Sequence, residues 1–146
     1  MPFFCDMLGI ISLILALWRV RKFGAVTITG ITATIITLIL NPYATHFFGF
    51  IAASVVLDVL TRLIGYQNCL EKSIPSVISL LSTSAASTAV AGIIIGNLFM
   101  NTNFPTRMFG GVAVFAGLHA TGDAIGGTIG LVLIKALSTR ISLPKV

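Results

Sequence analysis

The chain has 146 residues, of which 56% are hydrophobic and only 9% charged, with nine basic against four acidic side chains and a formal net charge of +5. A mean hydropathy of +1.05 leaves too little polar surface for a soluble domain. The pI near 9.8 does not point to nucleic acid, because the basic residues cap apolar segments instead of lining one continuous face.

Five apolar segments follow one another, at about Phe3–Trp18, Phe23–Leu40, Ala44–Gly65, Ile74–Met100 and Phe109–Leu137. Taken as alternating bilayer crossings, they gather Arg19, Arg21, Lys22, Arg62, Lys72, Lys135, Arg140 and Lys145 on one side and leave Arg107 on the other. Basic loops stay on the cytoplasmic side. The sequence therefore predicts an all-α integral membrane protein of the cell membrane, residues 1–146 forming a single multi-pass domain. It is a bundle of about five transmembrane helices with the N-terminus outside and the C-terminus inside. Helical crossings satisfy their own backbone hydrogen bonds, as hydrocarbon requires.

The first segment spans about 24 Å, less than a hydrocarbon core of about 30 Å, and carries Asp6 in its first turn. Arg19-Val-Arg-Lys after Trp18 is a stop-transfer flank and not a cleavage site. The second segment is rich in threonine and closes at Asn41-Pro42-Tyr43, where proline ends the helix. In the third, Asp58 and Arg62 lie four residues apart on one helical face. The fourth carries hydroxyls at Ser76, Ser79, Thr83 and Ser87, and at about 39 Å it is expected to tilt, or to break near Ser82–Ser84. Gly92 and Gly96 in this segment, and Gly122, Gly126 and Gly130 in the last, are small-residue ridges for close helix packing.

An ionisable residue inside a membrane is costly, which singles out two pairs. Asp58 and Arg62 read either as a structural ion pair toward the cytoplasmic end or as a coupling element, with Asp58 about 18 Å in from His46, near the midplane or just past it. His119 and Asp123 read either as a buried hydrogen bond between helices or as a proton- or ligand-handling pair. At the outer ends, Asn41, Tyr43, His46, Asn97 and Asn101 gather hydrogen-bonding and stacking groups where an incoming solute would arrive. Cys5 and Cys69 fall on opposite sides and cannot pair within one subunit, and no metal-type Cys/His spacing exists. No P-loop, nucleophile–base pair or dinucleotide fingerprint is present, so the chain is read as no enzyme, with no cofactor and no metal.

The order Arg19-Val-Arg-Lys-Phe-Gly24, then Pro42, then Phe48-Gly-Phe-Ile-Ala-Ala-Ser-Val-Val-Leu-Asp58 through Tyr66, then Gly126-Gly-Thr-Ile-Gly to Arg140, resembles the substrate-binding (S) components of energy-coupling factor vitamin transporters. It is most similar to the subgroup linked to the hydroxymethylpyrimidine precursor of thiamine. The resemblance spans about residues 10–141. It implies vitamin or precursor uptake from outside, with a transmembrane coupling subunit and two ATPase subunits as partners. The family has six helices and both ends inside. Five are found here, with the gap at the N-terminus, which agrees with the orientation read from charge. The family's first helix contacts the coupling subunit, so the glycine ridge of the last helix is the nearest substitute. Two other readings stand beside transport by this route: an accessory subunit of a larger membrane complex, and a small proton-coupled carrier using Asp58, His119 and Asp123.

Overall fold

The computed structural model describes residues 2–44, 47–70, 74–99 and 110–140. Among them there are only helices: α1 (Pro2–Val20), α2 (Ala25–Leu40), α3 (Phe48–Ile64), the short α4 (Tyr66–Leu70), α5 (Ile74–Ile94) with a π-helical extension (Ile95–Phe99), and α6 (Val112–Ser138). The five long helices pack in a ring, each touching its neighbours in the order α1, α2, α3, α5, α6 and back to α1.

Small residues fix the register. Gly126 of α6 meets Met7 and Ile10 of α1 and Gly130 meets Ile14, so these two helices run parallel. Gly92 lies against Ala116, Gly96 against Val112 and Gly127 against Leu81, which sets α5 and α6 antiparallel. Gly30 against Ser54 and Gly49 against Ile95 do the same for α2 with α3 and for α3 with α5. The result brings Arg19, Arg21, Lys22, Arg62, Lys135 and Arg140 to one end of the bundle, called here the basic end. Asn41, Tyr43 and Asn97 come to the other.

Two helices, over Pro75–Leu98 and Val112–Ser138, are long and apolar enough to cross a membrane. Met7–Val20 and Ala25–Leu40 are apolar but shorter. α1 reaches further than its apolar segment, over 19 residues or about 28 Å. The expected break near Ser82–Ser84 is absent, and α5 is continuous from Ile74 to Ile94. The hydroxyls there bond carbonyls of their own preceding turns, so no backbone donor is displaced: Thr83 Oγ1 donates to Ser79 O at 3.0 Å and Ser84 Oγ to Leu81 O at 3.0 Å. The irregularity falls instead at Ile95–Phe99, a π-helix that brings Gly96 onto Val112. Such π-turns recur at functional sites.

The core combines an apolar cluster with buried polar groups along the bundle axis. An apolar cluster of Ile10, Leu13, Ile14, Leu17, Trp18, Val26, Leu57, Cys69, Leu80 and Ile134 fills the half toward the basic end. Buried polar groups lie in both halves: Asp58, Thr61, Ser76 and Thr83 toward the basic end, and Ser84, Ser87 and Thr88 of α5 with His119 and Asp123 of α6 toward the other, where Ala53, Ala91, Ile95 and Ala116 are also buried. Outward-facing positions are aliphatic on every long helix. They include Leu8 on α1, Ile28, Ile35, Ile36 and Ile39 on α2, Val55, Val59 and Leu63 on α3, Ile78 and Ile93 on α5, and Ile125, Val132 and Leu133 on α6.

Candidate functional site

Asp58 is completely buried, and its role differs from an ion pair with Arg62. Position 24, just before α2, is glycine at φ 91°, so α2 has no side chain of its own to cap its first amides. Asp58 supplies the cap from α3. Its Oδ2 accepts from Gly24 N at 2.8 Å, Thr27 N at 3.2 Å and Thr27 Oγ1 at 2.9 Å. A carboxylate at a helix N-terminus also meets the positive end of the helix dipole. This puts Asp58 level with the first turn of α2, toward the basic end. Arg62, one turn on, is exposed and lays its guanidinium over the Phe23 ring, 4.8 Å from the centroid. The two side chains thus hold the α1–α2 turn instead of each other.

Asp58 Oδ1 and, on α4, the Tyr66 hydroxyl are buried without hydrogen-bond partners among the described residues. Burial, and then the Asp58 charge, push the Tyr66 phenol above its usual range, against a smaller opposing pull from Arg62. Cys69 of α4 is a buried free thiol with its Sγ 3.7 Å from Ser79 Oγ. Burial raises it above the ordinary thiol range, and the Ser79 contact offsets part of that rise.

His119 and Asp123 are buried in the half away from the basic end, Asp123 only 1% exposed. Their depth follows from the glycine contacts. Gly127 faces Leu81 and Ser84, and Asp123 stands one turn earlier on α6, opposite Thr88 one turn later on α5. The hydroxyl protons around it are committed to their own helix: Ser84 Oγ to Leu81 O, Ser87 Oγ to Ser84 O at 2.7 Å, and Thr88 Oγ1 to Ser84 O at 3.0 Å. What these side chains offer the interior is therefore lone pairs. A carboxylate adds only acceptors as well.

The outer polar residues sit differently. Asn41 caps the end of α2, its N–H donating to Thr37 O, and its Oδ1 accepts from Tyr43 N at 3.3 Å. Tyr43 is 92% exposed. Asn97 lies in the π-helix, is exposed, and donates to Ile93 O at 2.9 Å. His46 and Asn101 lie outside the described residues. The glycine ridges are occupied within the chain: Gly126 and Gly130 receive α1, Gly92 and Gly96 receive α6, and Gly122 is buried. The ridge of the last helix is thus covered by α1, and a partner would meet another surface.

Several residues that matter here were not singled out from sequence. Thr27 and Gly24 complete the Asp58 cap, and Gly127 seats α6 on α5. The signal available for the first two was a helix start with glycine where a capping side chain belongs. Among the described residues, no group of three or more His, Cys, Asp and Glu side chains is placed to hold a metal ion. No known family model matches the chain, and no curated protein or solved structure matches it either.

Proposed function

We propose that the chain is a multi-pass membrane protein with its basic end in the cytoplasm, acting as the solute-binding subunit of an importer, in the manner of the S components it resembles. The observation that carries this reading is the inverted polarity of the bundle. Aliphatic side chains face outward on all five long helices, while a carboxylate, an imidazole and a row of hydroxyls are buried at the centre. Hydrocarbon around the ring makes both halves of that pattern favourable, whereas water around it leaves the apolar surface uncompensated. Six basic residues at one end agree with the N-out, C-in orientation.

The solute would enter from the end bearing Asn41, Tyr43 and Asn97 and settle against His119, Asp123, Ser84 and Thr88, above the apolar floor of the inner half. A buried carboxylate and hydroxyl lone pairs beside an imidazole that also carries an N–H donor suit a small solute that is rich in N–H donors and presents an acceptor as well. A heterocycle with an exocyclic amino group, such as a thiamine-pathway pyrimidine, fits that chemistry. ATP hydrolysis would come from partner subunits, with this chain performing no chemistry of its own.

The deciding experiment is mild affinity purification of the tagged protein from its native membrane, with mass spectrometry of what accompanies it and calorimetric titration of aminopyrimidines. ATPase subunits with a larger helical partner, together with saturable binding, support the reading. Partners without an ATPase and no solute affinity would make the chain an accessory subunit. Uptake that survives ATP depletion but collapses with the proton gradient would make it a proton-coupled carrier.

A further inference from the structure

Among the described residues, the basic end holds Arg19, Arg21, Lys22, Arg62, Lys135 and Arg140 against a single carboxylate, Asp58. That carboxylate is buried and spent on the start of α2, through Gly24 N, Thr27 N and Thr27 Oγ1. Arg62 is likewise engaged, over the Phe23 ring. No ion pair with a described residue neutralises Arg19, Arg21, Lys22, Lys135 or Arg140. Because Asp58 already meets the positive end of α2, an anion arriving from outside finds side-chain cations here and not a helix start.

Four of these cations gather where α1 and α6 end side by side. The two helices run parallel, with Ile14 against Gly130. One turn further on, Trp18 and Ile134 share the apolar cluster. Arg19 and Lys135 follow them directly, so they stand level on neighbouring helices, and both are exposed. Arg21 and Lys22 continue from Arg19 into the α1–α2 turn. Arg21 is held at φ 50°, a left-handed conformation that costs a non-glycine residue energy. Its side chain is half-buried, and its Nε is buried with no hydrogen-bond partner among the described residues. A guanidinium fixed in this way keeps its donors for a group outside the chain. Exposed aliphatic side chains adjoin the cations: Val20 beside Arg19, and Ile125, Ile129, Val132 and Leu133 along α6 at helical spacing above Lys135.

We propose that the ends of α1 and α6, with the α1–α2 turn, form a site for the headgroup of an anionic phospholipid. Arg19, Arg21 and Lys135 hold the phosphate, Lys22 adds charge at the rim, and the acyl chains lie along the aliphatic stripe of α6. Guanidinium groups suit a phosphate because they offer it parallel N–H donors. A soluble phosphate would satisfy the cations but leave the stripe unused, so the surface commits to the lipid. The inference rests on the membrane reading above and is independent of the solute.

Native mass spectrometry of the full-length, detergent-solubilised protein tests it, with phosphatidylglycerol and phosphatidylcholine of matched chain length offered in equal amounts. Each cation near an anionic headgroup contributes about fivefold, so wild type should retain phosphatidylglycerol with a preference of at least about tenfold. Arg21→Gln and Lys135→Gln should each lower that preference by about fivefold. Arg62→Gln, which removes a charge already engaged on Phe23, should leave it within about twofold of wild type. No preference in wild type overturns the site, and so does an equal fall in all three variants, which is diffuse attraction to a basic surface. Inorganic phosphate in large excess should not displace the lipid; displacement would assign the cations to a soluble anion and overturn the lipid site. Should Arg21→Gln aggregate, Lys135→Gln, exposed on α6, decides alone. Flotation with vesicles of phosphatidylcholine keeps the two readings apart. Wild type that floats but shows no headgroup preference overturns this inference only, and wild type that does not float overturns the membrane reading with it.

Discussion

Replacing Gly126 with alanine tests a close approach of the α1 backbone to α6. A Cβ at 126 would lie 2.8 Å from the Met7 carbonyl oxygen, 3.0 Å from Met7 Cα and 2.5 Å from Ile10 Cγ2. Two of these three atoms are backbone, so no rotamer change relieves the clash. Restoring an ordinary separation of about 3.4 Å from the carbonyl moves α1 away by about 0.6 Å, opening the packing along its apolar stripe. Overpacking of this kind costs about 1–3 kcal/mol. Alanine recovers up to about 1 kcal/mol through its better helix propensity. The net loss is about 1–2 kcal/mol, a five- to thirty-fold fall in the folded fraction's ratio to unfolded.

Gly130 is the internal control. A Cβ there meets Ile14 side-chain atoms at 3.4–3.5 Å, which is ordinary contact. At Gly117 it meets nothing within 4 Å. Alanine at either position should be neutral or stabilising by up to about 1 kcal/mol. Melting of the detergent-solubilised variants, read by the loss of monodisperse protein on size-exclusion after heating, should rank Gly126→Ala below wild type and the other two at or above it. Equal stability of all three would refute the parallel packing of α1 on α6.

Asp123→Asn should weaken binding of a donor-rich solute by about ten- to a hundred-fold, the worth of a charge-assisted hydrogen bond, while the protein still folds; titration calorimetry reads this. In a background without other cysteines, Tyr43→Cys should react with an impermeant maleimide applied to intact cells, and Arg140→Cys only after permeabilisation. The reverse pattern would invert the orientation. Cys69 should resist alkylation until the protein is denatured, since its thiol is buried and held protonated. Its folded pKa is raised, so its contribution to stability is complete below the ordinary thiol range and is lost as pH rises through the folded value. Melting temperatures between pH 8 and 10 should therefore fall more steeply for wild type than for Cys69→Ala.

The apolar segments and basic caps made five long helices legible from sequence, because a helix in an apolar setting is announced by length and punctuation. Gly92, Gly96, Gly126 and Gly130 were legible for the same reason: small residues at four-residue spacing have one common use. The partner of Asp58 was not. An i,i+4 carboxylate and guanidinium point to each other in any isolated helix, and only the packing of α2 on α3 brings an uncapped helix start within reach. The short α4, with Tyr66 and Cys69 folded back onto the bundle, was hidden because five residues carry no periodicity. The outer group Asn41, Tyr43 and Asn97 shared a side in sequence and shares an end in structure, yet its members are exposed, since a common side does not determine where side chains converge.

The buried hydroxyls of α5 can serve as glue between helices or line a solute path, and their bonds differ along the helix: Ser79 Oγ reaches across to Cys69 Sγ of α4 at 3.7 Å. Glue requires bonds that cross between helices, as Thr27 Oγ1 makes to Asp58 and Thr34 Oγ1 makes to Phe47 O at 3.2 Å. Among the described residues, the Ser84, Ser87 and Thr88 hydroxyls bond only within α5. Removing the Ser84 and Ser87 hydroxyls should therefore cost little stability. Alanine at these positions should even gain up to about 0.5 kcal/mol each from helix propensity. Thr27→Val, by contrast, strips a donor from a buried carboxylate and should cost about 1.5–3 kcal/mol. Measured together, the Ser84→Ala/Ser87→Ala double variant should melt with wild type but bind solute less well, and Thr27→Val should melt early. A double variant that melts as early as Thr27→Val would mean these hydroxyls hold the helices together after all, and the acceptor surface around Asp123 would lose its claim to be a binding site.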